Sequence, residues 1–241
     1  MWILAIVVTA TAAQPQQSER LSVNDGRPVA SALRLLETRF NTVITYEDLP
    51  LVHQDDIVDV TESVRRDLHL YAPGKAPKVR VPRGGELSFE FNPNDPVEVV
   101  LAQLLSESEL VMPSSTFRIE QGNGVIHVIP QSMKGLTGKT IPVRSILDVP
   151  VEIPAQERTG IELLEAWCDA VNAKLKKRIV IGGAPLNRMM SYTDDKGVSA
   201  PNARDALTEI LLRSGKGPKL SWQLLYSQSQ QFYVINIHLV K

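Results

Sequence analysis

Apolar and polar residues alternate along this chain with two distinct periods, and the periods switch in a set order. Leu87, Phe89 and Phe91 alternate with Ser88 and Glu90, the two-residue period of a half-buried strand. Asp95, Pro96 and Glu98 then predict a helix start. An Asp side chain at the N-cap accepts from a free backbone N–H, Pro fits the first helical position, and Glu98 reaches back. Val97, Val100, Leu101, Leu104 and Leu105 follow on one face of a 3.6-residue helix. Gly122-Asn123-Gly124 separates residues 116–121 from 125–129 with residues that tolerate positive φ, which predicts a tight hairpin.

The same logic extends in both directions. Leu21-Ser22-Val23 predicts a short strand, Asn24-Asp25-Gly26 a turn, and Pro28 the start of a helix with Val29, Ala32, Leu33, Leu36 and Phe40 on one side. Residues 43–46, rich in β-branched and aromatic side chains, predict a strand. Downstream, residues 149–153 alternate as a strand, and Thr159-Gly160-Ile161-Glu162 is a capping box opening a helix with Ile161, Leu164, Cys168, Val171 and Leu175 on one side. Residues 178–181 predict a strand ended by Gly182-Gly183, and 189–192 and 198–200 weaker strands. Asn202 caps a last helix with Ala203, Ala206, Leu207, Ile210 and Leu211 on its apolar face, and 220–226 with 231–239 predict a closing hairpin.

Residues 48–85 break this regularity. They carry Asp55, Asp56, Asp59 and Glu62, a short helix expected over 62–70, and a Pro-, Gly- and Lys-rich stretch, and they read as an insertion over the surface. Outside it, apolar positions 97, 100, 101, 104 and 105 recur at 203, 206, 207, 210 and 211 with one constant offset. Seven elements in the same order predict an internal duplication. The expected architecture is α+β: a first module over 20–132, a glycine-containing linker over 133–139 and a second module over 140–241. Each packs two helices on short mixed sheets.

Residues 1–13 contain the apolar run Trp2 to Val8 followed by small residues, Ala10-Thr11-Ala12 fitting a cleavage site. This run is shorter than the roughly 20 residues that span a bilayer, so it predicts an export signal; no Lys or Arg precedes it. The 241 residues are 43% apolar and 22% charged with a net charge of −1, so no overall field recruits nucleic acid or anionic lipid. A single Cys168 leaves no internal disulfide framework.

Residues 23–43 with Tyr46, residues 87–105 and residues 116–129 resemble the short N-terminal domain shared by secretins and TonB-dependent transducers, in which a strand, an Ala/Leu-rich helix and a strand precede a second helix and a closing hairpin. Ile153-Pro154-Ala155-Gln156 is similar to the segment leading into that family's first helix, although Glu157, Arg158 and Thr159 intervene. The resemblance implies a periplasmic or otherwise exported envelope protein with a contact module. Family members usually carry this domain ahead of a channel or barrel, which residues 1–241 do not include, and the insertion at 48–85 separates elements the family joins tightly.

Candidate chemistry is sparse. The acids of the insertion lack the spacing and turn glycine of a calcium loop, and read as a solvated loop. His53, His69, His127 and His238 are scattered without metal-ligand spacing, and His127 and His238 read as exposed strand positions. Cys168, beside Trp167 in an apolar stripe, reads as a packed thiol. Lys75, Lys78, Arg80 and Arg83 read as a solvated basic stripe, and Trp222, Tyr226, Phe232 and Tyr233 as cross-strand packing.

The function expected is therefore non-catalytic, with no metal and no cofactor. The partner is an envelope protein or outer-membrane complex component, not nucleic acid, with membrane contact only through an uncleaved signal. It binds at sheet edges near 116–129 and 231–239, with Phe117, Ile119, Phe232, Tyr233 and Ile235 as binding residues. The alternatives are a binder of cell-wall glycan through 48–85 and an exported hydrolase.

Overall fold

Each half of the chain begins with a short strand and buries a helix behind it. The structure, a computed structural model, describes residues 18–113, 115–214 and 217–241; the expected export signal lies outside them. The first half runs β1 (Glu19–Asp25), α1 (Pro28–Phe40) and β2 (Val43–Glu47). The insertion adds β3 (Ile57–Asp59), α2 (Thr61–Val64) and β4 (Arg80–Pro82), and β5 (Gly85–Phe91), α3 (Val97–Val111), β6 (Thr116–Gly122) and β7 (Val125–Lys134) complete the half. After β8 (Thr140–Pro142), the second half runs β9 (Val151–Ile153), β10 (Arg158–Thr159), α4 (Gly160–Asn172), β11 (Ile179–Ile181), α5 (Leu186–Ser191), β12 (Thr193–Asp194), β13 (Val198–Ala200), α6 (Ala203–Arg213), β14 (Leu220–Ser227) and β15 (Phe232–Leu239). The fold is α+β, as its patterning indicates.

The strand pairings of the two halves correspond. In the first, β1 pairs antiparallel with β5, β2 parallel with β7, and β6 antiparallel with β7. In the second, β9 pairs antiparallel with β13, β11 parallel with β15, and β14 antiparallel with β15. The second helices also match in detail. Ser108 of α3 donates to the Leu105 carbonyl at 2.7 Å, and Ser214, just past α6, donates to the Leu211 carbonyl at 2.7 Å.

What the sequence pattern does not reveal is that both halves share one sheet. β14 pairs in parallel with β2, Gln223 opposite Tyr46 and Leu224 opposite Glu47, giving a seven-stranded sheet in the order β11-β15-β14-β2-β7-β6, with β8 on β7. Directly paired residues on neighbouring strands point to the same face. Ile44, Tyr46, Ile126 and Val128 face the core beneath α1 and α3; Trp222, Leu224, Tyr233 and Ile235 face the core beneath α4 and α6. The two cores therefore lie on opposite faces of a common sheet.

Local expectations fare unevenly. The Thr159–Glu162 capping box and the Asn202 cap are formed, and Asn123 and Gly124 both adopt positive φ in the β6–β7 turn. Asp95 is not a cap: α3 starts at Val97 with Pro96 preceding it. Asn92–Asp95 closes a turn of its own, in which Asn92 Nδ2 donates to Asp95 at 3.0 Å and occupies the side chain. The strand expected over 189–192 is the helix α5, with Met189 buried at its centre; Asn187, Arg188, Met189 and Met190 are unbranched at Cβ and fold readily after Pro185. The helix expected over 62–70 is split between α2 and a 3-10 turn at Leu68–Leu70. Within the expected linker, β7 continues through buried Met133 to Lys134 before turning to β8.

Candidate functional site

The buried polar residues of this protein concentrate where the halves meet. β2 ends in Glu47 and is followed by Asp48, both buried, because β14, which covers them, comes from the other half. Arg204, in the first turn of α6, is buried against Glu47. Its Nε donates to Glu47 at 2.6 Å, and its Nη2 donates to Ser145 Oγ at 3.0 Å and to Asp148 at 3.1 Å. Ser145 in turn donates to the other oxygen of Glu47 and accepts from the Leu147 N–H at 3.0 Å. Glu120 of β6 stands 3.7 Å from Arg204 Nη1. Burial pushes the Glu47 carboxyl above its ordinary range, against the opposing pull of Arg204 and Ser145. Burial also works against the Arg204 charge, but Glu47 and Asp148 overcome it and hold the guanidinium firmly protonated.

A second buried acid closes the other end of the seam. The Asp48 N–H donates to the Leu224 carbonyl at 2.8 Å, and its carboxylate accepts from Arg27 Nε at 2.7 Å, the Tyr226 N–H at 3.0 Å and the Tyr46 hydroxyl at 3.0 Å. Arg27 also donates to the Tyr226 carbonyl at 2.6 Å. Gln223 Nε2 donates to the Ala30 carbonyl at 2.8 Å, and Ser221 Oγ to the Ile44 carbonyl at 3.1 Å. A buried network of this kind fixes one geometry, because any displacement leaves a desolvated charge unpaired.

Two of the four histidines, His127 and His238, belong to this seam, while His53 and His69 lie in the insertion. His127, expected at an exposed strand position, is buried: Thr45 Oγ1 lies 2.7 Å from its Nδ1, and the Trp222 ring packs beside it. The second half covers the face it occupies. Burial, reinforced by the Arg204 charge, pushes its pKa down to about 4, so it is neutral at ordinary pH. His238, likewise expected exposed, is part-buried, with Nε2 2.6 Å from Glu37. Cys168 is a buried thiol whose pKa burial raises to about 12. Among the described residues no group of three or more His, Cys, Asp or Glu side chains is gathered to hold a metal ion, and no helix is long and apolar enough to cross a membrane.

The expected binding residues divide by strand. β15 is an inner strand, flanked by β11 and β14, so Phe232, Tyr233 and Ile235 do not lie on a sheet edge. Tyr233 and Ile235 are buried, and the Tyr233 ring packs tilted against Tyr226 with centroids 4.9 Å apart. β6 ends the sheet, and among the described residues no strand pairs with its outer side. The two-residue turn makes Gly122 and Val125 a hydrogen-bonded pair, so along the regular ladder the main-chain groups of Phe117, Ile119 and Gln121 point away from β7. Their side chains alternate: Phe117 and Ile119 turn inward to the first core, while Arg118 and Glu120 line the other face.

The insertion holds a further cavity of about 850 Å³, lined among others by Asp59, Glu62, Leu68, Tyr71, Pro73 and Lys78. Its acids are dispersed: Asp55 pairs with Lys134 at 2.9 Å, and Asp59 accepts from the Thr61 N–H at 3.0 Å and stands 3.4 Å from Lys78.

Sequence reasoning missed Glu47, Asp48, Ser145 and Arg204. Two signals pointed to them: paired acids closing a β-branched strand, and an arginine in a helix first turn, where the helix dipole favours acids. Comparison with family models, curated proteins and solved structures finds no match to this chain.

Proposed function

We propose that this chain is a non-catalytic component of the bacterial cell envelope, exported through residues 1–13 and built of two modules like the short N-terminal domain of secretins and TonB-dependent transducers. It works by binding another protein as an added strand on β6. The observation that carries this reading is the outer side of β6, where outward main-chain groups of Phe117, Ile119 and Gln121 have no neighbouring strand among the described residues. The repeated pairing order supports the duplication, and the seam holds the two halves as one rigid platform behind that edge. In-cell crosslinking and purification of the tagged chain tests the proposal. A partner recovered with the wild type and lost with Ile119→Pro supports it, since that substitution removes an outward N–H without touching the β6–β7 ladder. Retention of every partner by Ile119→Pro overturns it.

The cavity in the insertion favours a second reading, a binder of cell-wall glycan, because it joins an aromatic ring to hydroxyls and carboxylates. Sedimentation with purified sacculi that survives deletion of residues 60–78 removes this reading.

A further inference from the structure

The sequence of β6 is complementary to itself. Its seven residues are Thr-Phe-Arg-Ile-Glu-Gln-Gly, centred on Ile119. The main-chain groups of Phe117, Ile119 and Gln121 face outward, and Arg118 and Glu120 flank the centre on one side of the sheet. Laid antiparallel against an identical strand with Ile119 opposite Ile119, each outward residue meets another outward residue in the hydrogen-bonded relationship, Phe117 against Gln121 on both sides of the axis. The same register sets Arg118 opposite Glu120, twice, with opposite charges directly across the strands. Neither charge is buried: their side chains are 36% and 45% exposed, and they pair with each other along the strand at 2.8 Å. That local pair can exchange for the cross-strand one without losing a partner. Shifting the register by two residues in either direction removes this match: one charge then meets its own copy, Arg118 opposite Arg118 or Glu120 opposite Glu120, and the other meets uncharged Thr116 or Gly122.

We propose that the strand added to β6 is β6 of a second copy of this chain, giving a two-fold dimer in which the two seven-stranded sheets become one continuous sheet. Such a contact is isologous, the commonest form of closed homo-oligomer. Only one end of the sheet takes part. At the other end, Asn172 donates to the Ile179 carbonyl at 2.9 Å and accepts from the Ile179 N–H at 2.7 Å, so a side chain already occupies the outer side of β11 there. Of the two end strands of the main path, β6 is the one that bears no such side-chain cap among the described residues, and a two-fold contact through it closes at two copies.

This inference rests on the reading of β6 as a binding edge, and its test separates the two. Sedimentation of the purified chain over a concentration series is expected to show a monomer–dimer equilibrium. Arg118→Glu puts two acids opposite each other at both positions, and Glu120→Arg puts two bases there; each is expected to weaken self-association about tenfold or more. Mixing the two variants restores both opposite-charge pairs, so a one-to-one heterodimer forms where neither variant dimerises alone. Glu120 also faces Arg204, so cooperative unfolding of each variant is measured alongside. Ile119→Pro, which leaves both charges in place, provides a main-chain control and is expected to be monomeric. A chain that stays monomeric throughout, or a dimer that Ile119→Pro leaves intact, overturns the proposal. A monomer that still loses an envelope partner on Ile119→Pro overturns the dimer alone and leaves the binding edge standing.

Discussion

Glu47 on β2 and Arg204 on α6 stand 157 positions apart in sequence and meet at 2.6 Å, both buried. Neither belongs to the core of its own half, so their role is to define how the halves join. A buried ion pair adds little net stability over well-packed apolar residues, but breaking one leaves an uncompensated charge. Arg204→Met is therefore expected to cost about 3–5 kcal/mol, with Glu47 left facing only Ser145. Glu47→Leu with Arg204→Met is expected to cost less than the two single changes together. Urea unfolding of the four proteins gives the coupling directly, and additive losses would show that the pair does not act as a unit.

His127 gives the seam a pH dependence with a defined sign. Its folded pKa is about 4, below its ordinary 6.5. The unfolded chain therefore binds a proton first as pH falls, and stability present above 6.5 is lost between 6.5 and 4. A shift of that size corresponds to about 3 kcal/mol. Glu47, whose pKa burial raises, acts in the opposite direction, so the histidine contribution is read as the difference between wild type and His127→Gln. Unfolding free energies measured from pH 4 to 7 should show a steeper decline in the wild type; parallel curves would refute the assignment.

Elements governed by local chemistry were legible in the sequence: the capping box at Thr159, the cap at Asn202, the Asn123-Gly124 turn and the apolar stripes of all four long helices. Their causes lie within a few residues. The β2–β14 pair was not legible, because it joins strands from opposite halves and no period encodes which edge meets which. Burial of His127 follows from that same pair, whereas the inner position of Tyr233 and Ile235 comes from β11 pairing in parallel with β15 inside the second half. α5 was misread because Met189, Met190 and Tyr192 fit either a short buried strand or a short helix, and no period separates the two over four residues.

Gly84 shows how tightly the insertion is tied to the first half. It has a φ of +57°, and a Cβ there would come within 2.0 Å of the Asp25 carbonyl oxygen and 2.6 Å of Gly26 Cα. These are backbone atoms, which cannot rotate aside. Gly74 has a similar φ of +73° but faces open space. Gly74→Ala is expected to cost about 1–2 kcal/mol, the left-handed strain alone. Gly84→Ala is expected to cost clearly more, read as a larger drop in thermal midpoint. Equal drops would mean that the Gly84 contact relaxes freely.

Ser108 and Ser214 test whether the two cores behave as independent copies. Ser108 lies in the last turn of α3 and Ser214 just past the end of α6; each is buried and donates at 2.7 Å to the carbonyl three residues back. Removing one hydroxyl costs one hydrogen bond to that carbonyl, about 1 kcal/mol. The counterpart positions make the same hydrogen bond at the same distance, so Ser108→Ala and Ser214→Ala are expected to cost the same within about 0.5 kcal/mol. They lie beneath different helices on opposite faces of the sheet, so the double variant should lose the sum of the two. Chemical denaturation of the singles and the double decides the point. A coupling energy above about 1 kcal/mol would mean that strain passes between the cores through the seam, and that the halves respond as one body rather than as repeated units.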